Sequence, residues 1–231
     1  MAQRSKLWYL KNINLFRGMP EEQMRFVEQH TTMREIRRRE VLYLTGDAGD
    51  RIYLLKRGVV KISTLDPDGR EIILALLRPG EVFGEEAVLD DAPRDHIAEA
   101  YEDALICVLS KQDFAGMLQR HPDLGFKVTK LIGFRLKTFR SRIETLLFKG
   151  APARLAATLL ELGREHGVRD GRGLLLPLKL SQQDLANLIG VTRESVNLAL
   201  ADFRRRGLVE VDGRTIRLLD TQALEEAKTI G

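Results

Sequence analysis

The sequence predicts an α+β chain, with an N-terminal antiparallel β-roll of jelly-roll type, a long helix and a C-terminal winged helix-turn-helix. Three observations carry this. Residues 35–109 alternate short β-prone runs with glycine or proline punctuation. Apolar residues then recur at the 3.5 period of a helical seam between 132 and 146, and residues 181–206 read as two helices around a glycine. The expected divisions are 1–120 for the roll with its N-terminal helices, 121–149 for the seam helix and a hinge, and 150–231 for the winged helix.

Residues 7–30 read as one or two short helices, the second opened by Pro20 and two glutamates. The roll follows as the runs EVLYLTG, RIYLLKRG, VVKISTLDPDG, REIILALLRPG, EVFG and IAEAYEDALICVL, with Asp66-Pro67-Asp68-Gly69 as a hairpin tip. Residues 83–95 break the pattern. Gly84 precedes one helical turn, then 90–95 form a loop that carries Arg94. A helix start offers free amides and an arginine offers a charged fork, so this cassette suits an anion, although such a turn is also common as plain structure.

Ile132, Leu136, Phe139, Ile143 and Leu146 form the seam, with Lys137, Arg140, Arg142 and Glu144 between them. A homodimer interface is preferred here over a helix packed on its own domain. Lys149-Gly150-Ala151-Pro152 reads as the hinge.

Ser181 with Asp184 forms a capping-box pattern, Leu185, Leu188 and Ile189 make one apolar face, and Gly190 turns the chain. Thr192 caps the second helix, whose inner face is Val196, Leu200 and Phe203. Arg193 and Glu194 stand in its first turn and Arg204, Arg205 and Arg206 in its last. Gly207 ends it, and Asp212-Gly213 signals a type I′ hairpin, placing Arg214 and Arg217 on a wing. This is the design of a helix for the major groove, against the alternative of an ordinary helical hairpin.

Charge agrees only locally. The chain of 231 residues has 37 Lys and Arg against 33 Asp and Glu, net +4, and residues 150–231 have 12 against 11. A nucleic-acid face must therefore be a cluster, not a basic domain. No apolar run reaches membrane-spanning length, and MAQRSKLWYLKNINLF lacks a signal peptide's core, so the cytoplasm and no membrane partner are expected. Cys107, the one cysteine, lies in an apolar run and reads as a buried strand residue. The four histidines show no metal-ligand spacing, and no phosphate-loop or nucleophile-elbow motif occurs, so neither a metal nor an enzyme is expected.

The order of these parts, with the FGEEAVLDDAPR cassette and the VTRESVNLALADF stretch, resembles the cyclic-AMP receptor protein and fumarate–nitrate regulator (CRP/FNR) family of bacterial transcription factors, over roughly residues 11–220. The resemblance implies a cyclic-nucleotide-binding type of roll and a homodimer on a near-palindromic site of double-stranded DNA, with RNA polymerase as a further partner. It implies base reading by Arg193 and Glu194 and phosphate contacts from Ser181, Gln183 and Thr192, with Arg214 on the wing. Leu198 stands where the family usually has a third polar reader, and Asn197 beside it offers a substitute. In the cassette, Gly84, Glu85 and Arg94 match the family's nucleotide-holding positions. Asp95 replaces a hydroxyl residue there, repelling a phosphate or occupying Arg94, or else facing solvent and leaving the pocket intact, and Phe139 and Arg140 replace the hydroxyls that meet the base. A small anionic effector other than cyclic AMP, or none, is expected ahead of cyclic AMP, and DNA binding without added cyclic AMP. Two other readings stay open: a winged helix that binds protein, and a haem- or redox-sensing relative using His96 or Cys107.

Overall fold

The computed structural model describes residues 6–89 and 91–229, so Asp90 of the expected 90–95 loop lies outside it. Residues 1–135 and 136–231 form two compact units. The first begins with helices α1 (Lys6–Lys11) and α2 (Glu21–His30), with a 3-10 turn at Asn14–Phe16 between them. Eight strands follow: β1 (Thr31–Ile36), β2 (Val41–Tyr43), β3 (Arg51–Arg57), β4 (Val60–Leu65), β5 (Glu71–Leu77), β6 (Val82–Phe83), β7 (Ile97–Ala100) and β8 (Ala104–Ser110). They pair antiparallel in two four-stranded sheets, ordered β1-β8-β3-β6 and β2-β7-β4-β5. Helices α3 (Lys111–Arg120) and α4 (Pro122–Phe148) come next, and the division between the units falls inside α4.

The alternation of a strand with both faces covered explains why residues 52–55 of β3 are apolar without a break. Tyr53 and Leu55 join Tyr43, Val60, Ile62 and Ala98 in the core between the two sheets. Ile52 and Leu54 join Phe16, Met24, Phe114 and Met117 in a second core, where helices cover the first sheet's other face. Cys107 belongs to that core and is fully buried.

Two features of the roll depart from sequence expectation. Strand β1 pairs with β8 through all six residues, but its sequence TTMREI buries only Thr31 and Ile36, too sparse an apolar signal to read. The register of β3 on β8 also shifts between Leu55 and Arg57, so Lys56 falls at an irregularity in the ladder. Its amine is buried, with no hydrogen-bond partner among the described residues. Burial, opposed by the nearby Cys107 sulfur, pulls the amine down to about 8.

The second unit holds the end of α4, then α5 (Ala151–His166), β9 (Val168–Arg169), β10 (Leu174–Leu176), α6 (Gln182–Ile189), α7 (Arg193–Arg205), β11 (Val209–Asp212), β12 (Thr215–Leu218) and α8 (Thr221–Ala227). Its sheet runs β11-β12-β10-β9. Leu155 and Leu159 of α5, Leu185 and Ile189 of α6, and Val196, Leu200 and Phe203 of α7 are buried. Arg154 ties the start of α5 to its neighbours, donating to the carbonyls of Lys149 at 2.7 Å, Leu146 at 2.6 Å and Ile189 at 3.3 Å. No helix among the described residues is long and apolar enough to cross a membrane.

Candidate functional site

The cassette in the first unit is built on Gly84. Its φ of +75° is a left-handed conformation, and a Cβ there would stand 3.0 Å from the Arg51 carbonyl oxygen and 3.2 Å from Arg94 Nη1. Only glycine fits both the backbone and the approach of the guanidinium. A 3-10 turn at Glu85–Val88 follows.

Arg94 is 3% exposed. Its Nη1 donates to the Gly84 carbonyl at 3.1 Å and to Glu86 Oε1 at 2.8 Å, and its Nη2 donates to the Arg51 carbonyl. The guanidinium lies 4.5 Å from the centre of the Tyr43 ring. Burial, ahead of the Glu86 charge, holds the Tyr43 hydroxyl well above its ordinary value. That hydroxyl meets His96 Nε2 at 2.7 Å.

Glu85 is also buried, and Arg135 of α4 donates to its Oε1 and to the Val82 carbonyl. Burial lowers the pKa of the Arg135 guanidinium. Arg135 is a partner that the sequence reading missed, because fifty residues separate it from Glu85. Two polar atoms of the cassette are buried with no partner among the described residues: Glu85 Oε2 and Arg94 Nε. The cassette therefore retains one unused acceptor and one unused donor.

Asp95 is a correction. Its side chain is 89% exposed and accepts from or meets His96 Nδ1 at 2.6 Å, so it neither pairs with Arg94 nor faces the cassette. The carboxylate that does occupy Arg94 belongs to Glu86, whose side chain is 39% exposed.

Phe139 and Arg140 lie on α4 in the second unit, and both are exposed. Leu136 is 65% and Phe139 57% exposed, and Ile132 and Ile143 are exposed apolar residues as well. Leu146, at the end of the expected seam, is half-buried within its own unit, and its Cδ2 stands 3.6 Å from the position of a Cβ on Gly190. Arg142, expected among the seam's solvent-facing residues, is held instead by the Leu188 carbonyl, and burial lowers its pKa.

In the second unit, the helix-turn-helix forms from local signals. Ser181 accepts from the Asp184 amide at 3.1 Å, and Asp184 accepts from the Ser181 amide at 2.8 Å. Gly190 adopts φ +65°. Thr192 accepts from the Ser195 amide at 3.3 Å, capping α7. Arg193, Glu194, Asn197 and Leu198 are all exposed, while Val196, Ala199, Leu200 and Phe203 are buried. Asn197 Oδ1 accepts from Gln182 Nε2 at 3.2 Å, and Gln183 is exposed and its Nε2 donates to Asn187 Oδ1 at 2.8 Å.

Two residues and one turn differ from expectation. The Ser181 hydroxyl, expected at a phosphate, donates to Asp184 at 2.6 Å within the cap. Arg217 is held by Asp170 at 2.7 Å and by Glu210, which makes it part of the sheet's ion pairing; Arg214 is exposed at the tip. The hairpin is not type I′. Asp212 pairs with Thr215, so the central residues are Gly213 and Arg214, and only Gly213 has a positive φ, +57°.

One chain that carries both a winged helix-turn-helix and a two-sheet roll with a buried arginine–glutamate cassette defines a DNA-binding regulator with a cyclic-nucleotide type of sensor domain. The comparisons agree: a cyclic nucleotide-binding domain model matches residues 33–121, and a Crp-like helix-turn-helix model matches residues 153–227. The cyclic AMP receptor protein of Thermus thermophilus is 30% identical over 217 residues, covering 94% of this chain and 97% of the relative. The CRP-like cAMP-activated global transcriptional regulator of Mycobacterium tuberculosis is 28% identical over 215 residues, covering 93% and 96%. A solved CRP-family transcriptional regulator from Thermus thermophilus superposes with TM-score 0.71 at 31% identity, covering 84% of this chain and 96% of that one. The chain belongs to the CRP/FNR family. It is a DNA-binding transcription regulator and not an enzyme.

Proposed function

We propose that the chain acts as a homodimer, each α7 reading one half of a near-palindromic DNA site, with a small anionic effector held by the roll cassette. The observation that carries the reading is the division of α7. One face supplies the core of its unit, and the other presents Arg193, Glu194 and Asn197 to solvent from the first turns of a capped helix. Arginine pairs with a guanine edge and glutamate accepts from cytosine. Thr192, Gln183 and Arg214 are the proposed phosphate contacts. The exposed seam residues Ile132, Leu136, Phe139 and Ile143 supply an apolar face of the sort that a twofold partner covers. RNA polymerase and a cytoplasmic location belong to the same role.

Arg193→Ala is expected to weaken binding to the selected site by about 1–3 kcal/mol and relax one symmetric base pair. Site selection from random duplex DNA checks this, and an unchanged sequence preference in the variant removes Arg193 as a base reader.

For the effector, the two unpartnered atoms support a ligand that brings a hydroxyl to Glu85 Oε2 and an anionic oxygen to Arg94. The names of the two relatives support a cyclic nucleotide. Such an anion competes with Glu86 for Arg94. Like charges about 4 Å apart cost about 1 kcal/mol in water, and a tenfold change in affinity is about 1.4 kcal/mol. Glu86→Gln is therefore expected to raise cyclic-AMP affinity by several-fold to about tenfold, and Asp95→Asn to leave it unchanged. Titration calorimetry on nucleotide-free protein distinguishes the two. A gain from Asp95→Asn alone returns the competition to Asp95.

A further inference from the structure

Within α6 and α7 every large apolar side chain is buried except one. Leu185, Leu188, Ile189, Val196, Leu200 and Phe203 are in the core, whereas Leu198 is 74% exposed. Leu198 lies one turn beyond Glu194, and the two Cβ atoms of such a pair stand about 5–6 Å apart on the same side of a helix. Its solvent-facing neighbours are Glu194 and Ala201, one turn before and one turn after it, and Asn197 beside it, with Arg193 at the helix start and Arg204 and Arg205 further along. Asn197 already accepts a hydrogen bond from Gln182 across the turn, which leaves Leu198 as the freer of the two side chains.

A leucine has no donor or acceptor to offer a base edge. The one apolar feature in the major groove is the C5-methyl group of thymine. Against any other base at that point, leucine would strip water from a polar edge group and give nothing back. The geometry points to Leu198 as a specificity-determining residue: we propose that it reads a thymine methyl group at the base pair next to the one met by Glu194. The inference rests on α7 being the groove helix, and it converts an apparently missing polar reader into a reader of different chemistry.

The test uses the full chain and the duplex site that it selects from random DNA. Each thymine in the half-site is replaced in turn by deoxyuridine, symmetrically, which removes only the methyl group. At one symmetric pair the wild-type affinity is expected to fall about fourfold per half-site, which corresponds to about 0.8 kcal/mol for one buried methyl-sized group. Leu198→Ala is expected to bind the thymine site more weakly and to show no further loss with deoxyuridine at that pair. Alanine is a strong helix former and the side chain is exposed, so this variant keeps its fold. Arg193→Ala is expected to retain the methyl sensitivity.

The proposal is overturned if no deoxyuridine substitution changes wild-type affinity, or if Leu198→Ala keeps the same sensitivity. Either result leaves the DNA-reading role intact and turns Leu198 towards a protein partner. A chain that enriches no site at all overturns the groove-helix reading itself, and the methyl reading with it.

Discussion

Phe203→Ala is expected to destabilise the second unit by about 3–5 kcal/mol, the usual cost of emptying a large aromatic site in a core. Phe203 is 1% exposed and among the largest fully buried side chains of the chain. Its carbonyl also accepts from the Leu208 amide at 2.9 Å, where α7 hands over to the wing. The ring therefore anchors the recognition helix from behind, with Val196 and Leu200 a turn or two earlier on the same face. Hydrogen exchange reads the two units separately and is the appropriate measurement. Amides of α6 and α7 should lose protection while those of β3 and β8 keep it. A change below about 1 kcal/mol would mean that the surrounding leucines collapse into the space, at odds with the dense interior of such a unit.

Phe139→Glu combined with Ile143→Glu is expected to yield monomers and to bring specific DNA affinity down to the non-specific level, a loss of about a thousandfold or more. Both residues are exposed on α4, so the substitutions disturb no core within the chain. In a twofold interface each glutamate would face apolar surface and a second charge, and the desolvation of unpaired carboxylates opposes association. Analytical sedimentation gives the oligomeric state and a gel shift on the selected site gives the affinity. An intact dimer in the double variant would place the interface elsewhere on the chain.

Much of this was legible in sequence wherever the deciding interaction is local. Ser181 and Asp184 are three residues apart, within reach of one another's backbone at a helix start, so the capping box read directly. The buried face of α7 follows from the helical period alone. What was not legible depends on how distant segments meet, or on a single residue of register. Glu86 and Asp95 are both carboxylates in the cassette, and only the path of the 91–96 loop decides which one faces Arg94. Arg135 reaches Glu85 from a separate helix, and no spacing rule connects them. The wing was expected in the right place, but with Asp212 inside the turn; its pairing with Thr215 moves the tip by one residue and makes Arg214 central. Strand β1 escaped notice because Arg34 and Glu35 interrupt its apolar pattern, while β8 supplies the pairing that holds it.

The lysine buried at the irregularity in β3 gives folding a proton stoichiometry. An unfolded lysine keeps its proton up to about pH 10.4, whereas Lys56 in the folded unit releases it near 8. Below that lower value both states carry the proton, and the fold bears the burden of an enclosed charge. Between the two values the unfolded chain binds more protons than the folded one, so stability rises with pH across that interval and levels off above it. Unfolding there takes up close to one proton at this position. Heats of unfolding near pH 9 consequently include the ionisation heat of the buffer that supplies it, and two buffers of different ionisation enthalpy report different values for the same transition.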